Sequence, residues 1–222
     1  MKKLLPIALL IAASFGAQAA EFPDGKPVTI VVPFAAGGPT DRVARDLAEA
    51  MSRQLGGTPI VIDNAAGAGS TIGNANVARA KNDGHTLLVT HVGMATTPVL
   101  YRKLSYNYET DFEYLGMIND VPMTLIGKPQ IEAKNLAELR DWIAKNPGKV
   151  NLGNAGVGSA SHLCGLLFQS ELKADMTTVP YKGTAPAIAD LLGGQIDLLC
   201  DQTTNTTSQI EAKKVKPFAV TT

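Results

Sequence analysis

The sequence predicts an α/β protein of two domains, each a mostly parallel sheet flanked by helices. Three observations carry that reading. Short β-branched runs alternate with longer stretches of helical periodicity. Three strand-to-helix junctions are built from glycine and other small residues. The alternation breaks once, near the middle, into two halves of about one hundred residues, the usual size of a domain. Composition agrees: of 222 residues, 45% are hydrophobic and 18% charged, which is neither disordered nor collagenous. The 20 basic and 20 acidic residues cancel, so no whole-chain field attracts nucleic acid or an anionic membrane. With 5% aromatics there is also little to stack single strands on, and nucleic acid is excluded as a partner.

The elements follow in order. Met1-Lys2-Lys3 is a positive start, residues 4–13 an apolar run and Ala17-Gln18-Ala19 a small-x-small site, so residues 1–19 read as a secretory signal peptide. No cysteine follows the cleavage site to carry a lipid, and no later run approaches bilayer length. Residues 28–34 (VTIVVPF) form a buried strand, and Ala35-Ala36-Gly37-Gly38 leads to Pro39-Thr40-Asp41, which opens a helix. Val43, Leu47, Ala50 and Met51 give that helix an apolar face to residue 55, and Gly56-Gly57 stops it. A strand at 59–63, a loop at 64–70, a helix to residue 80 and a strand at 86–90 complete a βαβ pattern. Residues 112–126 are less regular and read as strands crossing between two bodies. The alternation then resumes: helix 136–145, strand 150–153, helix 159–172, strand 177–180, helix 186–192, strand 196–200 and helix 204–213. Asn146-Pro147-Gly148 and Gly193-Gly194 are helix stops. Residues 216–222 (KPFAVTT) read as a final strand that nothing caps or covers, which marks the sequence as a fragment. The domains are then 20–119, with 216–222 as a return crossover, and 120–215.

Export changes how the two cysteines read. An oxidising compartment permits Cys164 and Cys200 to pair, and two separately buried thiols are the alternative. Neither has CxxC or metal-ligand spacing, and His85, His91 and His162 are scattered, so no metal site is expected.

The chemistry lies in the three junctions, at 34–41, 64–70 and 154–161. Glycine lets a backbone approach a ligand closely, and the free amides of a helix start favour an anion. In open α/β sheets such loops sit at the carboxyl ends of strands, where ligands bind. Enzyme motifs fail when counted. The run Gly67-Ala68-Gly69-Ser70-Thr71-Ile72 places isoleucine where a dinucleotide fingerprint needs glycine, and no GK[ST] exists for a P-loop. Ser159, Ser161 and Ser70 all lack the flanking glycines of a nucleophile elbow. Ser159 and His162 lie three apart on one helical turn with no acid to orient the ring, so a satisfied or capping histidine is the simpler role. Helix capping is likewise the plain reading of Asp41 and Asp201, core packing that of Trp142, and solvation that of Lys182. Thr184 reads as an N-cap or a ligand donor.

The motifs together resemble one family. PFAAGGPTD at 33–41, NAAGAG at 64–69, GSASHL at 158–163, VPYKG at 179–183 and DQTTN at 201–205 resemble, in order and spacing, segments of the tripartite tricarboxylate transporter solute-binding proteins, the Bug receptors of the Gram-negative periplasm. The resemblance implies a monomeric two-domain protein of Venus-flytrap shape, type II-like, that traps a small organic acid and hands it to integral membrane subunits of a transporter. It implies no cofactor, no metal and no catalysis. Carried over, Phe34, Gly37, Gly38 and Asp41, with Gly67, Gly69 and Ser70, would hold one ligand carboxylate, partly through water. Asn154, Gly158, Ser159 and Ser161 would contribute from the other domain, and Thr184 and Asp201 would line the far wall. Alternatively, Asp201 at the distal end would select a ligand with an amino or ring-nitrogen donor. Two other classes of function stand beside this one: a periplasmic sensor presenting its closed form to a membrane signalling protein, and a secreted hydrolase using Ser159 or Ser70.

Overall fold

The computed structural model describes residues 22–221, and the expected signal peptide lies outside them. Chain order builds two bodies, each around its own sheet. In the first, β1 (Val28–Val32) is the central strand, with β2 (Ile60–Asn64) and β3 (Thr86–Leu88) parallel to it on either edge. VTIVV suits that place because a central parallel strand is covered on both faces and wants β-branched side chains throughout. Ile30 sits opposite Ile62 on one edge and Leu87 on the other. Helix α1 (Pro39–Gln54) covers one face, burying Ala44 and Ala48 against Ile30, Val32 and Phe34. Proline at its first position loses nothing, since that amide has no partner inside a helix. Helices α2 (Thr71–Ala78) and α3 (Gly93–Leu100) pack with β3 and Tyr106 on the other side.

The second body holds a five-stranded sheet in the order β6-β5-β7-β4-β8. Its strands are β4 (Met123–Gly127), β5 (Asn151–Asn154), β6 (Thr177–Pro180), β7 (Leu198–Gln202) and β8 (Lys216–Val220). β6, β5 and β7 run parallel, while β4 is antiparallel to both of its neighbours. The two-residue period of strands divides two cores. Leu125 and Leu198 face one core, closed by Leu139 and Ile143 of α4 (Leu136–Lys145) and by Phe168 of α5 (Ala160–Leu172). Ile126 and Leu199 face the other, closed by Ile188 and Leu191 of α6 (Thr184–Leu192) and by Ile210 of α7 (Thr203–Glu211). Trp142 packs against the first of these cores, as its apolar surroundings in the sequence suggest.

Two expectations need correction and one helix was missed. Residues 112–122 carry apolar side chains but form no strand; Leu115 and Met117 stand 81% and 86% exposed, and only Met123–Gly127 joins a sheet. A strand exists through pairing, and no described strand lies alongside to give this stretch a ladder. Helix α3 is not evident in the sequence because Gly93, Thr96, Thr97 and Pro98 are poor helix formers; tertiary packing of Met94 holds it. The segment expected to be uncovered at 216–222 is, over Lys216–Val220, a strand of the second sheet, and its Phe218 packs into the core under α4. Its end lies beside the start of β4, where Thr221 N donates to Met123 O at 2.8 Å, so chain enters and leaves the second body side by side.

Cys164 of α5 and Cys200 of β7 are joined in a disulfide with Cα atoms 6.1 Å apart, which resolves the alternative of separate thiols. The bond closes a loop of 36 residues, and loop entropy assigns such a closure about 3–4 kcal/mol. Replacing both cysteines with alanine is expected to lower the unfolding free energy by that amount in urea titrations. A loss below about 1 kcal/mol would mean that the bond does little to restrain the unfolded chain.

Candidate functional site

Four helices begin at one cleft between the two bodies. Their N-cap residues are Gly38 (α1), Ser159 (α5), Gly183 (α6) and Gln202 (α7). The wall of the cleft includes Gly38 with Pro39 and Thr40 of α1, Ala160 and Ser161 of α5, Thr184 of α6, and Asp201 and Gln202 before α7. Topology puts them there: α5, α6 and α7 each follow a parallel strand of one sheet and so start at the same edge, facing the start of α1 across the gap. Each start leaves backbone amides unpaired inside its helix and carries the positive end of a dipole.

Buried side chains fix these starts. Asp41, the third residue of α1, is 3% exposed and reaches back to the amide of Gly37 at 2.9 Å. Its oxygens also accept both Arg45 bonds, at 2.9 and 3.0 Å, and the Asn64 side chain at 2.9 Å. Burial alone would raise the Asp41 carboxyl, but Arg45, Gly37 and Asn64 together hold it below its ordinary value. Asp41 therefore braces the loop rather than facing the cleft, which fits the capping reading. At α5, Ser159 is fully buried and its oxygen accepts from the amide of His162 at 3.1 Å. The His162 ring nitrogen Nδ1 accepts from Gly158 N at 3.3 Å. Serine and imidazole thus serve the helix start and make no nucleophile–base pair. Ser161 donates its hydroxyl to the carbonyl of Cys200 at 2.5 Å.

Of the residues expected at the site, Phe34, Gly38, Ser161, Thr184 and Asp201 lie on the cleft wall. Thr184 follows the N-cap, which is Gly183, so it sits in the first turn rather than capping it. Gly67, Gly69 and Ser70 do not reach the wall, and neither do Asn154, Gly158 and Ser159. These two groups include the loops that meet where the bodies touch. Gly69 has φ +61°, and a Cβ on it would collide with the carbonyl oxygen of Val157, while a Cβ on Gly156 would lie 3.0 Å from the Gly69 Cα. Nearby, Thr96 Oγ1 donates to Gly158 O at 2.6 Å, Tyr101 OH to Val157 O at 3.2 Å and Ala35 N to Lys182 O at 2.8 Å. Ser70, 1% exposed, accepts from Asn74 at 3.3 Å and belongs to a buried cluster with Tyr106 and Thr97.

Besides Pro39 and Thr40 of the expected loop at 34–41 and Ala155 and Ala160 of the junction at 154–161, the wall holds three residues that the sequence reading missed: His91, Met123 and Gln202. His91 stacks on Phe34 with ring centroids 4.6 Å apart, and its Nδ1 accepts from Gly93 N at 3.0 Å. Burial pushes its pKa down to about 4, so the ring is a neutral surface at physiological pH. Its position just past a strand end was the available signal, masked by the lack of a partner in sequence. Asp201 is the opposite case: 1% exposed, with its pKa pushed up to about 6 by burial against hydrogen bonds from Asn205, Gln202 and Thr184.

The geometry has close counterparts. The profile of the tripartite tricarboxylate transporter family receptor matches residues 43–222. A UPF0065 protein from the TAR-I ttuE-ttuC' intergenic region of Agrobacterium vitis is 49% identical over 219 residues, covering 97% of this chain and 63% of that protein. The solved structure of the periplasmic binding protein BugD shares 53% identity and a TM-score of 0.86, over 89% of this chain and 66% of that one. MatC of Rhodopseudomonas palustris, solved with bound malate, shares 39% identity and a TM-score of 0.84, over 89% and 67%. The chain spans just under two thirds of the length of the Agrobacterium relative and of BugD.

Closure depends on the bare backbone at Gly69. Gly69→Ala is expected to hold the bodies apart, because the new Cβ meets a main-chain carbonyl and the αL conformation adds about 1–2 kcal/mol. Small-angle scattering should give a larger radius of gyration for the variant than for the wild type, with the near-ultraviolet spectrum retained. An unchanged radius would show that this contact does not limit closure.

Proposed function

The chain belongs to the tripartite tricarboxylate transporter receptor family, and from that premise we propose that it is a periplasmic receptor for a small carboxylate-bearing metabolite. The ligand is enclosed between the bodies and then delivered to the integral membrane subunits of a tripartite transporter. In this reading residues 1–19 direct export, 20–119 and 120–215 are the two domains, with Lys216–Val220 adding a strand to the second, and the receptor works as a monomer. One observation carries the proposal: four helix starts converge on a cleft whose wall, among the described residues, holds neither lysine nor arginine. Backbone amides and dipoles are the donors such a wall offers, and they suit an anion. The malate in MatC supports the same ligand class. Thr40, Ser161, Thr184 and Gln202 add side-chain polar groups, which suits recognition of a ligand with hydroxyl or carboxylate oxygens at both ends.

The decisive experiment is native mass spectrometry of the full-length protein from its own gene, purified from periplasm. The expected result is a retained adduct that leaves on denaturation and has the mass of a small carboxylic acid. Titration of the emptied protein with malate, adipate, citrate and aspartate should reveal at least one binder of micromolar affinity or better, about 8 kcal/mol or more. No adduct and no binding from that set would refute the reading.

A further inference from the structure

The cleft of this proposed receptor is built for an anion and already contains one. Among the wall residues, Asp201 alone carries a formal charge. Gln202 N donates to one of its oxygens at 2.8 Å and Asn205 Nδ2 to the other at 2.6 Å. Both donors belong to the start of α7, one of the helix ends that faces the ligand. The Asp201 carboxylate and an entering carboxylate therefore draw on the same positive field. Two like charges in a site closed to water do not both stay ionised when one of them can be neutralised.

No neighbouring group supplies the missing cation. His91 on the wall and His162 on α5 are both held below the ordinary imidazole value by burial, so neither becomes charged near neutral pH. Arg45 of α1 is committed to Asp41, and Lys128 beyond β4 pairs with Asp197 at 2.6 Å at the opposite end of β7. Asp190 of α6 accepts from Tyr181 at 2.7 Å. From β4 the group facing Asp201 is Thr124, whose hydroxyl donates to the Asp201 carbonyl at 2.9 Å.

We propose that Asp201 takes up a proton when the cleft closes on a ligand with two carboxylates, so that dianion and proton are captured together. The proposal rests on the carboxylate-receptor reading. The proton comes from solvent and forms one O–H bond on the Asp201 carboxyl. The acid then stops repelling the ligand and gains a donor to offer it. With the bodies in contact and no ligand bound, burial has already moved Asp201 partway, to a pKa of about 6. Bound dianion raises it further. Between the free and bound values the complex holds one more proton than its parts, so affinity falls as pH rises, by up to about tenfold per pH unit. Outside that window the affinity is flat.

The test is calorimetric titration of the full-length protein with malate at about pH 6.5, 7.5 and 8.5, where both malate carboxyls are ionised. Each pH is run in two buffers of different ionisation enthalpy, which counts protons directly. The expected result is close to one proton taken up per malate near pH 7.5, with affinity falling about tenfold per unit above it. Asp201→Asn should bind malate with no proton uptake and no pH dependence. Should that variant fail to fold, the wild-type proton count decides alone. Malate binding with no proton uptake and a flat pH profile would overturn the proposal and leave the receptor reading intact. Binding of aspartate with malate excluded would also overturn it, since Asp201 would then stay ionised to pair with the ammonium. If malate, adipate, citrate and aspartate all fail to bind, the receptor reading falls and takes this proposal with it.

Discussion

A helix cannot satisfy its own first amides, and this fold brings four such unsatisfied ends to one place. Much else follows from that constraint. β6, β5 and β7 must run parallel and adjacent, because only then do α5, α6 and α7 begin at the same sheet edge. β7 must be buried on both faces: Leu198 faces one core, Leu199 the other, and Cys200 is bonded to Cys164 of α5. Three of the four caps are small, glycine at α1 and α6 and serine at α5, while α7 has glutamine. Where a cap lacks a side chain, another group does its work. Asp41 ties the α1 start from inside the helix, and Arg45 and Asn64 pin Asp41 in turn.

The join between the bodies obeys a related restriction. Its closest approaches are backbone to backbone, or one hydroxyl to a carbonyl, at residues 156–158 of one body and 69, 96 and 101 of the other. Beside these polar contacts, Ala155 at the end of β5 packs with Phe34 and Val89 of the first body's core. Relative motion is the default expectation for two domains of one chain unless a large hydrophobic interface joins them. Gly69 is needed because its position demands both a positive φ and the absence of a Cβ.

The sequence displayed the scaffold well and the site in part. Strands announced themselves by β-branched runs, and helices by the spacing of apolar residues, with ends shifted by one or two positions: α1 opens at Pro39 as expected and stops at Gln54 instead of Leu55, and α2 stops at Ala78 instead of Ala80. Loop 34–41 and loop 154–161 stood out through their glycines, and both reach the cleft with part of their length. The loop at 64–70 looked the same in sequence yet packs against residues 156–158. Glycine permits close approach, but it does not say whether a ligand or another backbone makes the approach. His91 and Met123 were illegible for a different reason. Each is single, without a partner at a telling spacing, and the two lie on different bodies whose cleft the local sequence does not reveal. Residues 112–122 mislead in the other direction: their apolar content suits a strand, but pairing is a property of neighbours that local sequence does not contain.

A site made of dipoles behaves differently from one made of arginines. A bidentate guanidinium carries its full charge on a single side chain and holds a carboxylate whether or not the rest of the site is assembled. Each helix start contributes about half a charge, and one contact of that kind is worth only about 0.3–1 kcal/mol when exposed to water. In this fold one start belongs to the first body and three to the second. Neither body alone presents the whole field, and water screens what each does present until the cleft closes. Strong binding is therefore conditional on closure, and opening dissolves the site by separating its parts. The buried acid fits the same logic. In an open, wet cleft Asp201 is compensated by the start of α7 and tolerates its charge; in a closed one it competes with the ligand for the same amides. The conformational change that creates the binding field is thus also what makes the charge on Asp201 costly.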